Sequence, residues 1–495
     1  MKLNSLYIDD YKLLRKFNIN FKKDVSILIG INGSGKSNIL ETIAQIFSDA
    51  FLKEKSKFGF KIEYELRLEE IIEETTTTSE FKTDYIRVEI SASNAGEDFF
   101  YKVHSGNDII EKVDEIEKRF NRFERILPSN IVIYYSGQSE IMKSICEPHD
   151  LLLSKSYREG NRNVSRPFFY FEPALFDIIL ISLLSYEYGD IPVFLDERAK
   201  IKDVQSITFR LKKPTWARGK IDKWWGALGE VKSFLDFLDA HEGRIESLTN
   251  PESIKDKGNI IIEAFQNDSL IVTIITREKL FEIREHFVEE KTLFKILNAI
   301  YIDGLWNGAE FSFVKVEDGK PSSFGILSEG EQQAITIKGL MELVTSENTL
   351  FLLDEPDTYL HPSWQRIFIE NLIQFAEKNE TTLSQFLVTT HSPQLLSNAN
   401  PDRSEVQIME DGEIIEITPK YYGKDISQIL YEMMGVEGRN IKVAKALNIL
   451  FQNIEEEKLE ESKTEFKRLS ELLGDNDPAI VRAKTQLDYL EESVK

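Results

Sequence analysis

The sequence predicts an α/β fold: a parallel sheet carrying a phosphate-binding loop, an antiparallel β lobe, a helical insertion and a C-terminal helical tail. Three observations predict it. The apolar stretch Val25 to Ile29 runs into Gly30-Ile31-Asn32-Gly33-Ser34-Gly35-Lys36-Ser37 and then into a helical pattern. Continuous apolar runs at Leu350 to Leu353 and Phe386 to Val388 suit parallel strands covered on both faces. Three period-two runs, Ile62 to Leu68, Ile86 to Ile90 and Phe99 to Val103, suit an antiparallel meander.

Each element follows from its local pattern. Leu6 and Ile8 alternate as in a strand. Apolar residues at 39, 40, 43, 46, 47 and 50 share one helical face. Thr75 to Thr78 and Asn94-Ala95-Gly96 fall in turns of the meander. Residues 108–126 read as helix up to Pro128, and Ile131 to Tyr135 as a buried strand. Residues 147–310 read as a mainly helical insertion, interrupted by Pro192, Pro214 and Pro251. Strand signals return at Phe311 to Val316. A strand pair, Val406 to Met409 and Ile414 to Ile417, turns at Asp411-Gly412. In the tail, Leu447, Leu450, Phe451 and Ile454 share one face, and Phe466, Leu469, Leu472 and Leu473 the next. Gly474 reads as a helix stop, Asp477 as an N-cap and Pro478 as a first helical residue, so the Asp475-Asn476-Asp477 spacing is read as capping. The parts expected are 1–146, 147–310, 311–420 and 421–495.

Composition excludes several classes. The chain has 495 residues and a formal charge of −23, so a basic coat for nucleic acid is excluded and any phosphate contact must be local. Cys146 is the single cysteine, which excludes an internal disulfide and a four-cysteine metal site. Asp9 and Asp10 stand where a signal peptide would be apolar. The longest apolar run, Ile178 to Leu184, is far shorter than the roughly 20 residues of a membrane span. A soluble, cytoplasmic protein without a membrane partner is expected.

The segment Gly30 to Ser37 matches G-x-x-x-x-G-K-[ST] between a strand and a helix, the setting this motif requires. Its glycines let backbone N–H groups close on a β-phosphate, and the helix N-terminus adds a favourable dipole. Lys36 supplies a charge to the β- and γ-phosphates, and Ser37 reaches magnesium. Gly30, Asn32, Gly33, Ser34, Gly35, Lys36, Ser37 and Asn38 are therefore expected to hold ATP. At the end of the Leu350–Leu353 run, Asp354 is expected to organise Mg2+ and Glu355 to polarise an attacking water.

Leu327-Ser328-Glu329-Gly330-Glu331-Gln332-Gln333 resembles the signature motif of ABC-type ATPases, in the soluble branch with SMC, RecF and OLD proteins. Glu331 departs from the usual glutamine after the glycine. The resemblance implies that Ser328 and Gly330 close on the γ-phosphate held by an opposite subunit, within an ATP-linked homodimer that assembles into higher oligomers. His391, in Thr389-Thr390-His391-Ser392, resembles the switch histidine. Gln138 resembles the glutamine that contacts magnesium and the attacking water. Asp357 to His361 stands where the D-loop lies, with His361 open between a trans-subunit contact and loop structure.

Residues 392–495 read as helices with surface carboxylates, so no nuclease domain is expected in this chain. With Tyr422 to Ile426, Met434 to Val436 and the helical tail, it resembles the ATPase subunit of Septu-type anti-phage defence systems, including retron-associated ones. That resemblance implies a separate HNH-type nuclease partner docked by the tail. Where a retron is attached, it also implies a reverse transcriptase and its non-coding RNA or DNA. A RecF-like DNA-repair ATPase is the rival reading. It draws on residues 198–223, where Arg198, Lys200, Lys202, Arg210, Lys212, Lys213, Arg218, Lys220 and Lys223 are interleaved with Trp216, Trp224 and Trp225. A third reading is an ATP-gated scaffold in which Glu355 is only a structural carboxylate.

Overall fold

The computed structural model describes residues 1–74, 79–160, 166–217, 224–241, 260–265, 269–274, 276–317, 320–324, 326–378, 382–415, 418–434 and 439–493. It divides into two compact units, Met1–Thr418 and Pro419–Lys495. Among the described residues no helix is long and apolar enough to cross a membrane.

A seven-stranded sheet organises the first unit. Its order is Glu413–Ile415, Ser404–Glu410, Val25–Ile29, Leu383–Thr389, Asn348–Asp354, Asn130–Tyr135 and Phe168–Tyr170. All neighbours are parallel except the edge hairpin, where Asp411 and Gly412 both take positive φ in the two-residue turn. The three central strands are buried along nearly their whole length, only Leu383 and Asp354 being half-buried, which is why they read as continuous apolar runs rather than alternations. Register matters most here: Asp354 lies beside Thr389 on one side and Tyr135 on the other, and Thr389 lies beside Leu28. Four strand ends therefore meet at one level of the sheet.

The helix Lys36–Leu52 follows the phosphate loop and is buried from Ile39 through Ala50. It is held between the parallel sheet and an antiparallel lobe. Ile39, Ile43 and Phe47 share one core with Leu28, Ile131 and Leu350 below and with Ile62, Tyr64 and Val88 above. Each such side chain contributes about 1.5–3 kcal/mol through burial. The lobe is a six-stranded antiparallel sheet ordered Leu14–Asn20, Lys2–Tyr11, Phe60–Glu74, Ser79–Ala92, Phe100–Ser105 and Asp108–Ile110. The expected meander is present, with Ile62 opposite Ile90 and Val88 opposite Val103. The turn expected at Thr75 to Thr78 lies outside the described residues.

Two expectations need correction. Residues 108–126 are not one helix. Asp108–Ile110 pairs as an edge strand, Val113–Phe120 is the helix, and Asn121 at φ 64° ends it. The insertion is also more than helical. Strands Asp203–Lys212, Ile260–Phe265 and Ser269–Ile274 join Trp306–Glu317 and Lys320–Phe324 in a five-stranded antiparallel sheet. Ile207, Phe209 and Leu211 alternate inward after an irregularity at Val204, but the exposed Arg210 and Lys212 beside them read as a charge run. Among the described residues of 147–310 helices still outnumber strands, and include Phe176–Leu184 and Glu290–Ile302.

The second unit is helical: Ile426–Met434, Ile441–Glu455, Leu459–Leu473 and Pro478–Ser493. Leu447, Leu450, Ile454, Leu469, Ile480, Ala483 and Leu487 form its core, with Phe451, Phe466 and Leu473 packed against it. Leu472, expected on the same face, is instead 66% exposed. Asp477 accepts the Ala479 N–H at 2.9 Å and an Arg439 N–H at 2.8 Å, which is the capping role expected of it. Gly435 and Val436 lie outside the described residues.

Candidate nucleotide site

The phosphate loop takes shape from what a side chain would collide with. Gly30, at φ 154°, lies so close to the neighbouring strand Ser404–Glu410 that a Cβ would fall 2.1 Å from the Met409 carbonyl oxygen. Gly35, at φ 107°, starts the helix that carries Lys36 and Ser37. Lys36 is 6% exposed, and its ammonium donates to the carbonyls of Gly30 at 2.9 Å and Ile31 at 3.1 Å. Burial pushes its pKa below the usual lysine range, and the charges of Asp354 and Glu355 oppose that shift. The Asn38 N–H donates to the Gly35 carbonyl at 3.0 Å, while Ile31, Asn32 and Gly33 are exposed at the loop tip. The buried Ser34 hydroxyl has no hydrogen-bond partner among the described residues.

Asp354 ends its strand facing the loop. Ser37 donates its hydroxyl to Asp354 Oδ1 at 3.1 Å, and Thr389 donates to the same oxygen at 2.6 Å. Burial raises the Asp354 carboxyl, against these two hydrogen bonds. Glu355 follows at φ 49°, its N–H held by the Thr389 carbonyl at 3.1 Å and hydroxyl at 3.2 Å. His391 Nε2 stands 3.4 Å from Glu355 Oε1. Burial, and then the charge of Lys36, lower the His391 pKa, so the imidazole is neutral at pH 7.

The structure thus brings Lys36, Ser37, Asp354, Glu355 and His391 to one edge. Gln138 lies in the exposed turn just beyond Tyr135, at φ 56°, and makes no hydrogen bond to Asp354 or Glu355. Ser328 is not brought to the phosphate loop of its own chain. It caps the helix Glu329–Gly339, donating its hydroxyl to Glu331 Oε2 at 2.9 Å and accepting the Glu331 N–H at 3.3 Å. The Glu331 that departs from the motif is therefore half of a capping box. Gly330 is a glycine because a Cβ there would meet the Tyr359 carbonyl oxygen at 2.7 Å. His361 accepts the Ser363 N–H on Nδ1 at 3.3 Å, a loop-capping role.

Sequence reasoning gave no role to Thr389 and Thr390, and placed Asp357 in the D-loop without its partner. Thr390 donates to both Asp357 oxygens, at 2.9 and 3.0 Å, and burial pushes that carboxyl up to about 6. The signal was in plain view as the two threonines before His391. The tryptophans of the basic stretch are corrected here. Trp224 and Trp225 are 4% and 6% exposed, and Trp216 donates its indole N–H to the Asp303 carbonyl at 2.8 Å, so the interior of the chain takes the rings meant for bases. Arg210 pairs with Glu310 at 2.7 Å and Arg198 lies over Trp364. Arg218, Lys220 and Lys223 lie outside the described residues.

The oxygens of Ser37 and Asp354 form a hard, two-ligand set open on one side, which fits Mg2+ completed by water and phosphate oxygens. Among the described residues no group of three His, Cys, Asp or Glu side chains could hold a metal by itself. Parallel strands, a phosphate loop and a carboxylate two strands away, with a strand between them carrying Thr389, define a phosphate-loop ATPase head. The chain belongs to the family described as "AAA domain, putative AbiEii toxin, Type IV TA system", which matches residues 25–397. It is 22% identical to the retron Vc95 probable ATPase of Vibrio cholerae, over 87% of this chain and 78% of that protein. It is 23% identical to the retron Ec83 probable ATPase of Escherichia coli, over 99% and 87% respectively. A distant likeness to the SMC head domain of Thermotoga maritima has 15% identity and a TM-score of 0.32, over 85% of this chain and all of that one.

Proposed function

We propose that this chain is the ATP-binding and ATP-hydrolysing subunit of a cytoplasmic anti-phage defence complex, and that its nucleotide state gates a separate HNH-type nuclease. The observation that carries the ATPase part is the convergence of Ser37, Asp354, Thr389, Glu355 and His391 beside Lys36. On ATP binding, the Lys36 ammonium leaves the Gly30 and Ile31 carbonyls for the β- and γ-phosphate oxygens. Ser37 and Asp354 would hold magnesium, which would supply positive charge to the phosphates. Glu355 accepts the proton of the attacking water, and the neutral His391, beside Glu355, donates its single N–H to the γ-phosphate. Gln138 swings in from its exposed turn to orient that water.

Two chains complete the sites. The exposed apolar residues Ile31 (55%), Ile326 (89%) and Tyr359 (50%) stand on the phosphate loop, before the signature segment and in the loop after Glu355. Apolar exposure on all three loops supports a partner surface there. Ser328 and Gly330 of each chain then close on the γ-phosphate held by the other.

The gating part is supported by the two retron probable ATPases to which the chain is similar, and by the compact tail unit offered as the nuclease dock. A tagged pull-down with ATP in the buffer, read by mass spectrometry, tests it. A stoichiometric HNH-type nuclease, lost on deleting residues 419–495, is the expected result. Recovery of recombination proteins with no nuclease would overturn the gating reading in favour of a RecF-like repair ATPase.

A further inference from the structure

We propose that Gln333 is a positioning residue that couples the two ATP sites, by tying the signature helix of each chain to the loop after that chain's own Glu355. The inference rests on the two-chain ATP site proposed above. Its basis is one buried carboxamide. Gln333 is 3% exposed, and both ends of its amide are used. Oε1 accepts the Tyr359 N–H at 2.9 Å, and Nε2 donates to the Tyr134 hydroxyl at 3.1 Å. Because a backbone N–H can only donate, the amide orientation is fixed by chemistry.

Tyr359 is held twice by the same helix. Its N–H goes to Gln333, and its carbonyl lies against Gly330, one turn earlier on the same face. The loop between Glu355 and Tyr359 has little slack. Thr358 donates to the Glu355 carbonyl at 2.9 Å, Gln365 donates to the Asp357 carbonyl at 2.9 Å, and Thr390 holds the Asp357 carboxylate. On the other side, Tyr134 stacks on Phe171 at 5.4 Å and precedes Tyr135, the register partner of Asp354. Burial pushes the Tyr134 phenol up to about 12, so it remains the hydroxyl that Gln333 needs as acceptor.

Ser328 and Gly330 complete the partner's site, while Glu355 and Tyr135 belong to the chain's own. A displacement of Glu355 when ATP arrives therefore passes through Tyr359 and Gln333 to the end of the helix that touches the other nucleotide. A residue serving only the fold would change stability and leave cooperativity alone. Gln333 is instead expected to set cooperativity with little effect on the affinity of the phosphate loop.

The test is steady-state ATP turnover of the full chain against ATP concentration, for wild type and Gln333→Met, with nucleotide binding measured in parallel. Gln333→Met keeps the length and loses both hydrogen bonds. Wild type is expected to have a Hill coefficient above 1, falling to about 1 in the variant, with nucleotide affinity within about threefold. Gln333→Glu keeps the acceptor for Tyr359 and is expected to restore cooperativity. Should Gln333→Met fail to fold, Tyr134→Phe removes only the hydroxyl and is expected to lower the Hill coefficient in the same direction. Unchanged cooperativity in a folded variant overturns the proposal, as does a wild type that turns over ATP without cooperativity. A wild type that binds ATP and never hydrolyses it overturns the ATPase reading as well.

Discussion

The Ser37 hydroxyl donates to Asp354 at 3.1 Å across 317 residues of sequence, and this contact sets one end of the phosphate loop against the acidic strand. Thr389, from the strand between them, reaches the same carboxylate oxygen. Its backbone carbonyl also holds the Glu355 N–H, so one threonine sets the relation of the Asp354 and Glu355 carboxylates.

Removing the Lys36 ammonium takes away the buried charge of the phosphate loop. Lys36→Ala is expected to weaken ATP binding by about 10- to 100-fold, as for a charge-assisted hydrogen bond of roughly 1.5–3 kcal/mol. Calorimetric titration with ATP checks this, and unchanged affinity would remove Lys36 from the site.

Gly330→Ala places a methyl group 2.7 Å from the Tyr359 carbonyl oxygen, which is backbone and cannot turn aside. The helix start must shift instead. Turnover is expected to fall by about tenfold or more while ATP binding to the phosphate loop is kept, since a displacement of about 1 Å costs rate of this order or beyond. Parallel binding and turnover assays separate the two effects.

Asp49 lies buried in the helix after the phosphate loop, accepting from Gln45 at 2.7 Å, and burial pushes its pKa from 3.8 up to about 6. The folded chain therefore holds a proton that the unfolded chain has lost between those values. This group's contribution to stability is present at low pH and is lost as pH rises through 6. Asp49→Asn is expected to raise the melting temperature at pH 7.5, with the gain shrinking at pH 5. A gain independent of pH would contradict this.

Much of the site was legible because its parts are local. Gly30 to Ser37 and Leu350 to Glu355 each carry their chemistry within eight residues, and their flanking strand and helix patterns are unbroken. The joining residues were not legible. Thr389 and Gln333 matter through strand register and helix packing, which tie each to residues far off in sequence, so the motifs they stand in do not show their partners. The strand Asp203–Lys212 was hidden for another reason: its solvent-facing positions carry Arg210 and Lys212, which mask the alternation of Ile207, Phe209 and Leu211. The buried Trp224 and Trp225 show the converse, since aromatic rings beside lysines are as useful to a core as to a nucleic acid.

The most direct test of the account is Glu355→Gln, which keeps the shape of the side chain and removes the carboxylate that would accept a proton from water. Turnover is expected to fall by about 100-fold or more. Mass by light scattering is expected to double from the ATP-free chain to the ATP-bound chain and to remain doubled. A Glu355→Gln protein that hydrolyses ATP at the wild-type rate, or binds ATP with no change in mass, would contradict the two-chain ATPase site.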